Sequence, residues 1–173
     1  MKKLSSALLL AAALSATAVS AAPAWTPFQL GIAGTACQIF PEETAVTGLR
    51  LNLAASRNDA VTGIDVGIVS AGSDIQAVRV NLVNIADYHF SGLEVGLFNH
   101  DEALSGLSVG LFNAVDGDGS GIQIGVFNKA NAMTGMQIGL FNQAVTLRGI
   151  QIGLINLIDD GPLTFFPVIN MAF

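Results

Sequence analysis

From Gly48 almost to the C-terminus, apolar and polar residues alternate in a phrase that returns every 14 or 15 positions: Ser or Thr, Gly, aliphatic, polar, aliphatic, Gly or Asn, aliphatic, apolar, Asn. Its clearest copies are SGLEVGLFN (Ser91 to Asn99), SGLSVGLFN (Ser105 to Asn113), SGIQIGVFN (Ser120 to Asn128), TGMQIGLFN (Thr134 to Asn142) and RGIQIGLIN (Arg148 to Asn156). Gly48, Gly63, Ala77, Gly92, Gly106, Gly121, Gly135 and Gly149 mark successive units at spacings of 15, 14, 15, 14, 15, 14 and 14. Degenerate copies at Phe28 to Ile32 and Thr164 to Asn170 extend the series to about ten units, so the repeat fixes the architecture before any single residue suggests chemistry. An irregular stretch from Gln38 to Thr44 interrupts it, and no linker or second domain is visible.

Inside each unit the period is two, which is the signature of a strand. Extended through a whole unit, it places Ser105, Leu107, Val109, Leu111 and Asn113 on one face and Leu104, Gly106, Ser108, Gly110 and Phe112 on the other. β-branched residues alternating with glycine exclude helix. A straight strand of nine residues spans roughly 30 Å, and the five residues left over reach at most about 18 Å. They cannot carry the chain back to begin a parallel neighbour, so straight strands predict hairpins. An uncovered meander of about ten strands has an exposed edge unless it closes. The sequence therefore predicts an all-β closed antiparallel meander barrel. The alternative is a bend at the inner glycine, which folds each unit into one turn of a narrow parallel β-solenoid.

The polar residue at mid-strand runs Arg50, Asp65, Arg79, Glu94, Ser108, Gln123, Gln137, Gln151. Adjacent units thus set opposite charges and then amides side by side, pairings that stabilise neighbouring strands. These residues are expected to line a lumen or to form a ladder that satisfies buried polar atoms. In the barrel, the aliphatic bands (Leu93, Val95, Leu97; Ile122, Ile124, Val126) face lipid. In the solenoid they form the core, and the Phe98, Phe112, Phe127, Phe141 column becomes an outer stripe or packs at a corner. A coil of two repeats per turn would stack Arg50 on Arg79 and is disfavoured. The Asn column (Asn84, Asn99, Asn113, Asn128, Asn142, Asn156, Asn170) is expected to cap turns.

Residues 1–21 carry Lys2 and Lys3, an apolar core and small residues before Ala21, the pattern of a secretory signal peptide. Residues 22–173 then form a single β-repeat domain. Net charge is -6 with only 12% charged residues against 51% hydrophobic, so a nucleic-acid partner is not expected and part of the exterior is expected to face something other than water. Cys37, the one cysteine, has no disulfide partner in the chain and reads as a small buried residue. His89 and His100 with Asp87, Asp101 and Glu102 are weak metal-site candidates in turns, and Asp116-Gly117-Asp118-Gly119 reads as a glycine-rich turn rather than a calcium loop. No nucleophile elbow or Cys-His pairing is present. A non-enzymatic protein with no catalytic residue, metal or cofactor is expected.

Three resemblances bear on this reading. The stretch from Gly48 to Asn170 resembles exported bacterial surface-repeat proteins of the spirochaete type, whose units read GLQIGLxN, which implies an envelope or surface protein without a known activity. Gln137-Ile-Gly139-Leu-Phe-Asn142-Gln-Ala144 resembles half of a curlin repeat. The terminal Phe173, with Met171, Ile169, Phe165 and Leu163 alternating before it, resembles the C-terminal signal of outer-membrane β-barrels, from which Pro167 departs. Together these imply an exported cell-envelope protein of a Gram-negative-type bacterium, a small outer-membrane barrel of structural role with lipid or the cell surface as partner. The alternatives are a β-solenoid serving surface adhesion or assembly, and a narrow channel or small-ligand binder.

Overall fold

A computed structural model describes residues 23–173; the signal-peptide reading of residues 1–21 lies outside the described residues. The chain is all-β: β1 (Trp25–Gly31), a short 3-10 turn (Thr35–Cys37), β2 (Ala45–Val95), β3 (Phe98–Asp101), β4 (Leu104–Val109), β5 (Phe112–Ile124), β6 (Phe127–Ile138), β7 (Phe141–Ile158) and β8 (Phe165–Ala172). The sheet is a parallel β-solenoid. Each repeat is one turn, stacked in register on the last, so that Ser105 lies beside Ser120 and Phe112 beside Phe127. Among the described strands only β7 and β8 pair antiparallel, and an isolated antiparallel bridge joins Gly31 to Gln38. The antiparallel meander barrel expected from straight strands is therefore corrected.

The premise that failed is straightness. The chain turns at the inner glycine and the residue after it, between β4 and β5 at Gly110-Leu111 and between β5 and β6 at Gly125-Val126. The unit thereby folds into two short strands on opposite faces of a flat coil, and no return connection is needed. The corner also shifts the phase of the alternation. Leu111 and Phe112 both point outward, and Asn113 points inward with Ser108 and Leu104. Carrying period two through the glycine had placed Phe112 and Asn113 on the wrong faces.

Two glycine columns make so narrow a coil possible. Gly135 has φ 131°, and a Cβ there would sit 2.0 Å from the carbonyl oxygen of Gly121 in the preceding turn. Only glycine tolerates both the conformation and the approach. At the corner, a Cβ on Gly125 would lie 2.6 Å from the Gly110 carbonyl oxygen and 2.7 Å from the Asn113 amide nitrogen. Here the missing side chain makes room for the interior amides.

The interior divides in two. One corner holds a slender apolar core that includes Val61, Ile75, Phe90, Leu104, Val115, Met133, Leu147 and Ile158. Toward the glycine corner the filling is polar instead. β8 closes the C-terminal end, laying Asn170 across Gln151 and accepting the amide of Asn156 on the Phe166 carbonyl oxygen at 3.1 Å.

Candidate functional site

All seven sequence-nominated polar residues, Arg50, Asp65, Arg79, Glu94, Gln123, Gln137 and Gln151, are fully buried in one column inside the coil. Arg50 donates from Nη2 to Asp65 Oδ2 at 2.6 Å and from Nη1 to the Ala71 carbonyl oxygen at 2.9 Å. One turn pair further on, Arg79 donates from Nε to Glu94 Oε2 at 2.9 Å, and its Nη2 reaches both Glu94 and Asp101. Its guanidinium lies 4.2 Å from the centroid of the Phe90 ring, a cation–π contact within the core. Beyond Ser108 the column turns to amides: Gln137 donates to Gln123 at 2.7 Å and Gln151 to Gln137 at 2.8 Å.

The asparagines expected to cap turns form a second buried ladder instead. Asn84, Asn99, Asn113, Asn128, Asn142 and Asn156 are linked by five Nδ2-to-Oδ1 bonds of 2.8 Å, each donated toward the C-terminus. The second N–H of Asn113 donates to the Ile124 carbonyl oxygen at 2.9 Å, and that of Asn128 to Ile138 at 2.9 Å. The glutamine ladder donates toward the N-terminus, so the two rows of amide dipoles run oppositely and polarise their own members. Partners from the next turn link the members of each ladder, while the remaining N–H groups donate to main-chain carbonyl oxygens and Gln151 Oε1, at the end of its row, has no partner among the described residues. Sequence spacing carried the signal, because only a one-turn repeat brings every Asn onto the same level.

Three carboxylates and two guanidiniums occupy this interior, leaving Asp101 as the carboxylate in excess. Burial above all, and then the neighbouring Glu94 carboxylate, push the Asp101 carboxyl well above its usual range, against the opposing pull of Arg79. Glu94 Oε1 has no other hydrogen-bond partner, and a protonated Asp101 can donate to it. A folded-state pKa above the unfolded value near 3.9 stabilises the fold at low pH, and this contribution is lost as pH rises through the raised value. Stability is thus expected to fall between mildly acid and neutral pH through this group, and Asp101→Asn to flatten that slope. Urea unfolding across this pH range checks it; an unchanged slope in the variant contradicts it.

The aliphatic residues lie outside, the reverse of the solenoid core expected from sequence. A wall wraps the glycine corner, built from rungs such as Leu107, Val109, Leu111 and Phe112, and its outermost members are well exposed (Leu140 54%, Leu154 65%). Phe98, Phe112 and Phe127 stack along it with ring centroids 4.9 and 5.0 Å apart and planes within 2°. Ile138, Leu140, Leu154 and Val168 help line a groove of about 410 Å³ toward the C-terminal end. The acidic residues Asp87, Glu102, Asp116 and Asp118 gather at the far corner. The coil is therefore amphipathic in cross-section, apolar at one corner and acidic at the other.

Phe127→Lys is expected to leave the fold intact and to lower stability by about 1–2 kcal/mol, the loss of its ring contacts with Phe112 and Phe141, since the side chain faces outward and a charge there meets solvent. Thermal unfolding followed by circular dichroism measures this, and loss of folding would contradict the outward placement.

The weak metal candidates do not converge on one point. Asp101 points inward, whereas exposed His100 sits 3.5 Å from Asp116, and Asp116 to Gly119 lie mid-strand in β5 with both aspartates exposed and Gly119 buried. Among the described residues no group of three or more His, Cys, Asp or Glu side chains is placed to hold a metal ion. Cys37 is exposed, contrary to the expectation of a buried thiol, because the segment around it lies outside the regular coil. Comparison with family models, with curated proteins and with solved structures found no match.

Proposed function

We propose that this chain is a non-enzymatic β-solenoid of the bacterial cell envelope that acts by surface association, adhering or assembling through its aliphatic wall. The observation that carries the reading is the inversion of the coil: hydrogen-bonded polar ladders inside, an apolar wall outside at the glycine corner. Satisfied interior amides contribute about 0.5–1.5 kcal/mol each and allow the fold to stand without the aliphatic side chains as core. Those side chains are left free for a partner, and apolar patches beyond a few hundred Å² mark interaction sites in general.

Export and an envelope location rest on the pattern of residues 1–21 and on the surface-repeat resemblance. A channel role has less to support it, since the side chains proposed for a lumen fill the coil and hydrogen-bond one another. Fractionation of cells expressing the full chain tests the reading. The mature protein is expected with the envelope or cell surface and to be released by urea, with no heat-dependent gel shift of the kind closed barrels give. Recovery solely in the cytosol, or urea-resistant retention with such a shift, overturns it.

A further inference from the structure

Resting on that reading, the geometry points to a phospholipid bilayer surface as the occupant of the wall, with the glycine corner seated among acyl chains and Lys129 and Arg148 at the level of the headgroup phosphates. Three observations carry this.

The first is charge. Among the described lysines and arginines, Arg50, Arg57 and Arg79 are held in ion pairs, whereas Lys129 and Arg148 are exposed and enter none. These two cations flank the wall, one on each side. Lys129 follows Phe127 on the outer row of β6, and Arg148 precedes Ile150 and Ile152 on the outer row of β7. Their long apolar stems let the charge stay at the interface while the neighbouring rungs lie deeper. The exposed carboxylates Asp74, Glu102, Asp116 and Asp118 gather at the far corner. From Phe98 to Glu102 the chain runs roughly 13 Å, beyond the Debye length of about 8 Å at physiological salt. The wall is therefore the side this acidic chain can bring against an anionic headgroup layer.

The second is the backbone. A segment that enters hydrocarbon must pair its own N–H groups, and a bend is where a sheet ordinarily leaves them open. At this corner the turns pair them. Gly110 donates to the Ile124 carbonyl oxygen at 2.9 Å, Leu111 and Phe112 to that of Leu97 at 3.0 Å, and Gly125 to that of Ile138 at 2.9 Å. Val126 and Phe127 donate to Leu111, and Leu140 and Phe141 to Val126, in the same way.

The third is shape and size. From Ile64 to Leu154 the outer aliphatic rungs run about 30 Å along the axis at about 4.8 Å per rung, and about 17 Å around the corner, an outline of about 500 Å². A stable protein interface takes roughly 800 Å² from each partner. The wall is also convex across its width, with β4 and β5 falling away on either side of Leu111. A fluid acyl layer moulds to such a corner, and attachment to it grows with the apolar area immersed. The groove that Ile152 and Leu154 help line is apolar throughout, and Ile152 shares its outer row with Arg148.

Flotation of the purified mature protein with phosphatidylethanolamine and phosphatidylglycerol vesicles, at low and high salt, tests the proposal. The variants are Leu111→Glu, Leu154→Glu and the double substitution Lys129→Gln with Arg148→Gln. All four side chains are exposed, so the variants are expected to keep the wild-type circular dichroism. The wild type is expected to float, less so at high salt. Each glutamate is expected to weaken partitioning at least about tenfold, and the double substitution to weaken it about as much and to abolish the salt dependence. Flotation indifferent to the glutamates or to the double substitution overturns the proposal, because another surface then meets the lipid. A wild type that ignores vesicles but binds isolated envelopes, or associates with itself, also overturns it and leaves surface association standing. A wild type that ignores vesicles, envelopes and its own copies defeats the proposal and the surface-association reading together.

Discussion

Arg79→Met is expected to destabilise the protein by about 3–5 kcal/mol, the usual effect of removing one partner from a buried ion cluster. Methionine matches the length of the side chain and can remain against the Phe90 ring, so the loss does not come from a cavity. It comes from Glu94 and Asp101, which lose the guanidinium that holds both of them inside a coil with no water-facing escape. Domains are stable by only about 5–15 kcal/mol, and a deficit of this size consumes a large share. Acidification that protonates the stranded carboxylates is expected to reduce it. The contrast is Arg57, whose contacts with Asp87 and Glu42 are solvent-exposed; there Arg57→Met is expected to cost less than about 1 kcal/mol. Urea unfolding of the two variants at two pH values measures both, and equal effects would contradict the buried placement of Arg79.

Deleting residues 161–173 removes β8 and is expected to convert a discrete protein into end-to-end assemblies. β8 covers the last rung of β7 and ends the asparagine ladder by accepting from Asn156. Its own outer edge is poorly suited to further pairing: Pro167 has no N–H to donate, and Val168 is held at φ 73°, a conformation β-branched residues rarely adopt. Without β8, the N–H and C=O groups of β7 form an open edge ready for another chain. β1, laid parallel on β2 at the other end, offers a complementary edge from Trp25 to Phe28, its Leu30 to Ile32 end being paired with Cys37 and Ile39. Head-to-tail pairing of unlike ends does not close, so filaments are expected in electron micrographs. A truncated protein that stays dispersed and keeps the wild-type melting temperature would contradict the capping role.

Much of this fold was written plainly in the repeat. The spacing of Gly92, Gly106 and Gly121 set the rung, and the run from Arg50 to Gln151 showed side chains of neighbouring units meeting at one level. What the pattern did not distinguish was a straight nine-residue strand from two short strands joined at Gly110, because both alternate with period two on either side of the corner. The distinction lies in contacts between turns: the Gly125 corner closing against the Asn113 amide, and Asn128 reaching Asn142 rather than its own backbone. Those contacts are long-range, and a local reading assigns the same asparagines to turns. The solenoid reading put the aliphatic residues in the core for a related reason, whereas the barrel reading had them outside, as they are. Aliphatic residues ordinarily fill a solenoid, and only the amide ladders show how this interior is satisfied without them.

The most direct test of the one-turn-per-repeat solenoid is a disulfide between Ser105→Cys and Ser120→Cys in a Cys37→Ser background. Both serines are exposed and paired in register on adjacent parallel turns, where neighbouring chains lie about 4.8 Å apart, within the Cα separation a disulfide spans. Rapid intramolecular cross-linking under mild oxidant, seen as a monomer of altered mobility without reductant, is the predicted result. In an antiparallel meander the same two residues would stand at opposite ends of neighbouring strands, roughly 25–30 Å apart. Failure to cross-link in the folded protein would contradict the solenoid.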